Sequence, residues 1–392
     1  MLNYEFPPIG GGAANAHRCL LQQYAGSSDL KVDVLTSAPK PGFLKESFAD
    51  NINIYKVGLH KKELHFWRKI EVIEWLIKAK SHYRKLLREN DYDLVHAFFG
   101  FPTGWLCYRT ADKLPYIISL RGSDVPGEHA RLKLDYKILG PVFGAIWKKA
   151  AALVAPSEGL KDRALKFLPS VAIDVIPNGV ELDRFGPATC FGFPQGGVPR
   201  RCKLVPAEAG TAQKTQILRL LTVGRLSVTK RVEILIDAIE IMHREGCEVR
   251  FTIVGGGQMQ QNLKQIALNK NLANIIEFTG RIDAEDMPQV YRQNDIFISA
   301  SMQEGMSNAM LEAMASGLPI ITTRCEGVDE LIADNGLVVE NANAEEIAKA
   351  VKKIADDRQL YKQMSIAARR QAEKFTWGRV AGKYLALYER LK

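Results

Sequence analysis

The 392-residue chain has six cysteines, but no two form a C-x-x-C pair and none stands near a histidine at zinc-ligand spacing. That excludes a zinc module and a disulfide-framed secreted domain, and it predicts the reduced thiols of a cytoplasmic protein. No stretch approaches the roughly 18 consecutive apolar residues of a membrane span. Glu5, Pro7 and Pro8 stand where a secretory signal needs an apolar run, so none is expected. Internal repeats and tracts of a single residue type are also missing, which argues against a solenoid. Hydrophobic residues make up 46% and charged residues 25%, so the chain is not of the disordered class.

What is present fits two domains, each long enough to bury its own core. Short apolar runs alternate with segments of helix length. In the first half the predicted strands are 30–36, 53–57, 94–99, 116–120, 152–156 and 173–176. In the second half they are 218–223, 250–254, 275–279, 296–299, 319–322 and 336–339. Such alternation indicates parallel sheets with helices on both faces. The fold class is therefore α/β, with two doubly wound, Rossmann-like domains. The expected division is 1–186, an irregular linker or insertion at 187–216, 217–375, and a final helix at 376–392. The linker holds four Pro and four Gly without a sustained period. A buried strand should precede the glycine-rich turn of a doubly wound domain. Only Met1–Tyr4 precede EFPPIGGG, so either the natural start lies upstream or that strand is very short.

Three segments carry chemistry. In SASMQEGMSNAMLEAMASGLPIITT a strand leads into a loop with Glu304 and Gly305, and a helix begins near Ser307. Amides of Gly305, Met306, Ser307 and Asn308 at a helix N-terminus would face an anion, aided by the helix dipole. Glu304 and Glu312, with seven residues between them, could reach hydroxyl groups on either side of it. In LRLLTVGRLSVTKRVEILIDAIEIM, Arg225 and Lys230 follow the strand ending at Gly224. Fixed cations there can stabilise the charge of a departing diphosphate without a metal. In FPPIGGGAANAHRCLLQQY, Gly10, Gly11 and Gly12 precede a helix and would let a phosphate approach the backbone. Asn15 replaces the third glycine of a dinucleotide fingerprint, which weighs against a nucleotide-dependent oxidoreductase.

These residues resemble the large retaining family 4 of glycosyltransferases. EGMSNAMLEAMASGLP fits the family's pair of glutamates, and VIPNGVELDRF, GRLSVTKRVEILIDA, FTIVGGGQ and EFTGRIDAEDMPQVY follow the expected order. The resemblance implies a GT-B fold, with two domains facing each other across a cleft. It implies that Glu304 contacts the transferred sugar and Glu312 the ribose. Arg225 and Lys230 would bind the diphosphate, Gly12 would approach it, and the backbone at Arg281 and Ile282 would line the base. The implied reaction retains the donor's anomeric configuration, with the leaving phosphate helping to deprotonate the acceptor, and it needs no metal and no cofactor. A scaffold that has lost catalysis is the alternative, and the presence of Glu304, Glu312, Arg225 and Lys230 argues against it.

Many relatives have His-Gly before an Asp at the end of a first-domain strand. This chain has Arg121, Gly122, Ser123 and Asp124. Arg121 is a candidate contact to the sugar or an anionic acceptor, against a salt bridge to Asp124. His96, at a strand end, is a further acceptor-side candidate, against a structural role. The Asp91-Tyr92-Asp93 triplet lies away from the nucleotide motifs, so no metal site is expected there.

The net charge is +9. Residues 61–89 hold nine Lys/Arg against four Glu, and Phe66, Ile70, Ile73 and Ile77 share one face with Trp67 beside them. The segment reads either as a helix resting on an anionic membrane near a lipid-bearing acceptor, or as a core-facing helix with a solvated basic face. It lacks the aromatic interleaving that stacks nucleic-acid bases, so no nucleic-acid partner is expected. The predicted setting is cytoplasmic, peripheral on the inner face of the cell membrane, in polysaccharide or glycolipid synthesis.

Overall fold

The computed structural model describes residues 1–127, 133–187 and 217–392. The expected linker at 187–216 falls, apart from its first residue, outside the described residues. The chain forms two compact units: Met1–Gly179 with Trp377–Lys392, and Val180–Thr376.

In the first unit the elements run α1 (Gly12–Tyr24), β1 (Val32–Ala38), β2 (Phe43–Ala49), β3 (Ile52–Gly58), α2 (Lys69–Glu89), β4 (Val95–Phe98), α3 (Thr103–Tyr108), β5 (Tyr116–Ser119), α4 (Lys133–Lys149), β6 (Ala152–Ala155), α5 (Glu158–Phe167) and β7 (Ile173–Val175). The strands pair as β1-β3-β2 and β4-β5-β6-β7. Leu2 bridges to both Leu35 and Ala97 in parallel, joining the two sets. The strand expected before the glycine-rich turn is therefore present as a very short one. β2 was not expected. It is an antiparallel edge strand with a mostly exposed, charge-interrupted sequence, FLKESFA, and lacks the apolar run of a buried parallel strand.

The second unit runs β8 (Leu218–Val223), α6 (Val232–Arg244), β9 (Val249–Val254), α7 (Gln260–Asn269), β10 (Ile276–Gly280), α8 (Met287–Arg292), β11 (Ile296–Ser299), α9 (Asn308–Ala315), β12 (Ile320–Thr323), α10 (Val328–Leu331), β13 (Gly336–Val339), α11 (Ala344–Asp356) and α12 (Arg358–Ala372). Its sheet has the order β10-β9-β8-β11-β12-β13, every neighbouring pair parallel. The order reverses between β8 and β11. The chain leaves these adjacent strands in opposite directions, and the crevice that opens at their C-terminal ends is where such sheets bind ligands.

The units divide at Gly179, earlier than the expected 186. Val180 and Phe185 are buried in the second unit's core, and the Val180 amide donates to the Phe375 carbonyl at 2.7 Å. The last helix, α13 (Trp377–Leu391), belongs to the first unit, where Val380, Ala381, Tyr384 and Leu387 are buried. Gly179 is required there, because a Cβ on it would lie 2.6 Å from the Trp377 ring.

Candidate functional site

The second unit brings most of the expected donor-binding residues to the C-terminal edge of its sheet. The Gly224–Leu226 backbone after β8 is packed by the glycine run that follows β9. A Cβ on Gly255 would lie 1.9 Å from the Gly224 carbonyl oxygen, and one on Gly257 would lie 2.3 Å from that of Leu226. Both glycines also have positive φ, +127° and +157°. This close approach leaves Arg225 exposed, with no side-chain partner among the described residues. The turn then tightens through Val228–Lys230 and places the Lys230 ammonium against the Glu304 carboxylate, both partly buried.

Arg231 adopts a left-handed conformation, φ +46°. Its guanidinium donates to the Ala300 carbonyl at 2.7 Å and the Thr323 hydroxyl at 3.2 Å. It thus ties the mouth of α6 to the ends of β11 and β12. The sequence reading missed it, because only the assembled sheet brings those strand ends beside it.

The loop after β11 is held from several sides. The Met302 amide donates to the Thr229 carbonyl at 2.9 Å, and the Glu304 amide donates to the Glu326 carboxylate at 2.9 Å. Gly327 has φ +79°, and a Cβ there would stand 3.2 Å from both the Gly305 oxygen and Met306 Cα. Glu326 was also missed, since nothing in its local sequence shows that the β12 loop clamps the Glu304 backbone. Ser307 caps α9, its hydroxyl accepting from the Met310 amide at 3.3 Å. The positive end of that helix therefore lies in the same loop as Glu304 and close to Lys230. The Met306 side chain is buried in the core, so only its backbone could meet a ligand. Asn308 opens the helix.

Glu312 lies farther along α9. One carboxylate oxygen accepts from the Tyr291 hydroxyl at 2.8 Å, and Tyr291 is fully buried. Burial pushes the Glu312 carboxyl up to about 7, against the opposing pulls of the Tyr291 hydroxyl and Arg184. Arg281 and Ile282 follow β10 directly. Arg281 sits beside the β9 glycine run, its Nε 3.8 Å from where a Gly256 Cβ would be, and desolvation lowers its affinity for a proton.

Of the acceptor-side candidates in the first unit, His96 takes its structural alternative. His96 is buried on β4: Nδ1 pairs with the Tyr388 hydroxyl at 2.6 Å and Nε2 with the Ser119 hydroxyl at 2.7 Å. Burial drives its pKa well below the ordinary value, so it is a neutral tether for α13. Asp124 accepts from the Gly100 amide at 2.7 Å and the Arg121 amide at 2.8 Å. Both its oxygens hold loop backbone, although burial raises its pKa. Arg121 forms no side-chain salt bridge with it. The guanidinium instead lies over the Phe98 ring at 4.6 Å and donates to the Asn178 side chain at 2.8 Å. Gly10 has φ +98° and no room for a side chain beside Glu5, whereas a Cβ on Gly11 would meet nothing within 4 Å. Gly12 is the exposed first residue of α1.

Among the described residues, no group of three or more His, Cys, Asp or Glu is placed to hold a metal ion. Asp91 and Asp93 lie before β4, at the opposite end of its strand from the glycine-rich turn, and both are exposed.

Comparison with known proteins bears on the family and the fold. Residues 209–371 match the family model for glycosyl transferases group 1, and residues 10–184 match that for glycosyltransferase family 4. An uncharacterized glycosyltransferase of Methanocaldococcus jannaschii is 25% identical over 332 residues, covering 83% of each chain. A GDP-mannose-dependent alpha-(1-6)-phosphatidylinositol dimannoside mannosyltransferase of Mycobacterium tuberculosis is 33% identical over 213 residues, covering 54% of this chain and 50% of that one. Among solved structures, a sucrose-phosphate synthase from Thermosynechococcus elongatus superposes with a TM-score of 0.79 at 20% identity, covering 100% of this chain and 98% of that one.

Proposed function

The chain belongs to the group 1 glycosyltransferases of family 4, with the GT-B fold, and from that premise we propose that it moves a sugar from a nucleotide-diphosphate donor to a glycan or lipid-linked acceptor, retaining the anomeric configuration and using no metal ion. The observation that carries the proposal is the Lys230–Glu304 pair at the point where the strand order reverses, beside an uncommitted Arg225.

Without donor, Lys230 and Glu304 neutralise each other. A diphosphate arriving between Arg225, Lys230 and the positive end of α9 competes for the ammonium. Glu304 is then free to face the sugar, where positive charge develops as the bond to phosphate breaks. The leaving phosphate oxygen takes the acceptor proton, so no placed general base is required. Glu312 accepts hydrogen bonds from the ribose through the oxygen that Tyr291 leaves open. The base lies along the backbone at Arg281 and Ile282. In the first unit, Arg121 is the candidate contact to an anionic acceptor. The enzyme works in the cytoplasm at the inner membrane face, in making a polysaccharide or glycolipid.

The test is a thermal-shift screen with UDP-glucose, GDP-mannose and ADP-glucose, followed by transfer with the donor that binds. A donor at 100 times its Kd should stabilise by about 2.7 kcal/mol. No shift with any donor at millimolar concentration refutes the site, and a product with inverted anomeric configuration refutes retention.

A further inference from the structure

Helix α2 has two apolar faces, and the fold uses one of them. Trp75, Ala79, Tyr83 and Leu86 are buried in the first unit's core. Trp67, expected beside the isoleucines, is also buried, packed edge-on to Tyr4 at 4.7 Å. The opposite face is bare: Ile70, Ile73 and Ile77 are 68%, 53% and 67% exposed, and Phe66 and Leu64 before them are 38% and 39% exposed. Spacings of three and four residues put the isoleucines in one ridge. Contiguous exposed aliphatic surface of this kind marks an interaction site. The helix is thus core-facing with a solvated basic face, but the face it buries is not the isoleucine stripe.

The cations sort by the same geometry. Lys61 and Arg68 are engaged with Glu71, both at 2.8 Å, and Lys78 pairs with Glu74 at 2.6 Å. Lys80, Arg84 and Arg88 are exposed and have no acidic partner among the described residues. Arg84 and Arg88 continue the isoleucine ridge by helical spacing, with Lys80 flanking it. One face of one helix thus carries an aliphatic half and an uncompensated cationic half. That combination fits an apolar phase beneath a negative surface, which is an anionic lipid bilayer at its headgroup level. Among the described residues no helix is long and apolar enough to cross a membrane.

We propose that this ridge docks the first unit onto anionic membrane, with Ile70, Ile73 and Ile77 entering the headgroup–acyl boundary and Lys80, Arg84 and Arg88 meeting lipid phosphates. The inference deepens the proposed function and rests on its reading that the acceptor is met at a membrane. Because apolar insertion and charge both contribute, raised salt weakens binding without abolishing it.

The experiment sediments the full chain with vesicles of phosphatidylglycerol and phosphatidylcholine, and with phosphatidylcholine alone. The parent should pellet with the first and not with the second. The triple variant Ile70→Ser, Ile73→Ser, Ile77→Ser should lower partitioning by about tenfold or more, as should Lys80→Glu, Arg84→Glu, Arg88→Glu. All six positions are exposed, so melting temperature should hold. Ile77→Trp adds a direct readout: its fluorescence should shift to the blue on anionic vesicles. Equal pelleting of the serine variant and the parent overturns the proposal, as does a parent that stays in solution. A parent dimer that the serine variant splits also overturns it, because a second copy then covers the ridge. Nucleotide-induced melting shifts on the same variants separate the two readings. Retained shifts with failed docking refute only the membrane surface, and lost shifts in the parent refute the donor site.

Discussion

Replacing Glu312 with Gln should remove a pH dependence built into the second unit. The carboxyl is pushed up to about 7 from an ordinary 4.5, chiefly by burial. Its contribution to stability is fully present below about 4.5, where both folded and unfolded chains hold the proton. It is lost as pH rises through 7, where the folded state must ionise a partly buried acid that the unfolded chain ionises easily. At about 1.4 kcal/mol per pH unit, the whole effect is about 3 kcal/mol, and about 2.5 kcal/mol of it falls between pH 5 and pH 8. Gln keeps the shape and a carbonyl to accept the Tyr291 hydroxyl, but it does not titrate. The gap in Tm between variant and parent should therefore move in favour of the variant by about 5–10 °C between pH 5 and pH 8. Scanning both proteins at each pH cancels every titration they share. Parallel Tm curves would refute the burial argument. Ribose hydroxyls donating to Glu312 favour its ionised form, so the parent's nucleotide Kd should fall as pH rises through 7, and the variant's should not.

Glu304→Gln should lower kcat by about 100- to 1,000-fold without weakening nucleotide binding; full activity in a folded variant would remove Glu304 from the site. Transfer should survive EDTA, since cations and a helix terminus meet the diphosphate, and rescue of a chelated enzyme by magnesium or manganese would contradict that. Gly255→Ala should destabilise the second unit and weaken nucleotide binding, because its Cβ would lie 1.9 Å from the Gly224 oxygen at a φ of +127°; unchanged Tm and Kd would show that the two loops are not packed in this way.

The parallel strands were legible because both their faces are buried, which leaves short apolar runs between amphipathic helices. β8, β11 and β13 have the residue bounds that pattern predicts. The edge strand β2 was not, since half of it meets water and Lys45, Glu46 and Ser47 interrupt its apolar residues. The candidate donor site was legible where each strand end carries its own local signature: glycine for a tight turn, then a cation or carboxylate. Lys230 and Glu304 could be named separately, but their pairing depends on β8 and β11 being neighbours. Arg231 and Glu326 escaped because they act on backbone from strands distant in sequence.

The sequence by itself determined the fold class, the order of the motifs and the family, because alternation of apolar runs and glycine-cation spacings are local properties. Tertiary structure alone decided what each polar side chain faces. His96 is a tether rather than an acceptor group because Tyr388, 292 residues away, returns on α13 to hold its imidazole. Helical periodicity showed α2 to have an isoleucine face, but the same period also lines up Trp75, Ala79, Tyr83 and Leu86. Only one face could be buried, and the larger Trp and Tyr side chains lie against the first unit's core, which leaves the isoleucines to the solvent.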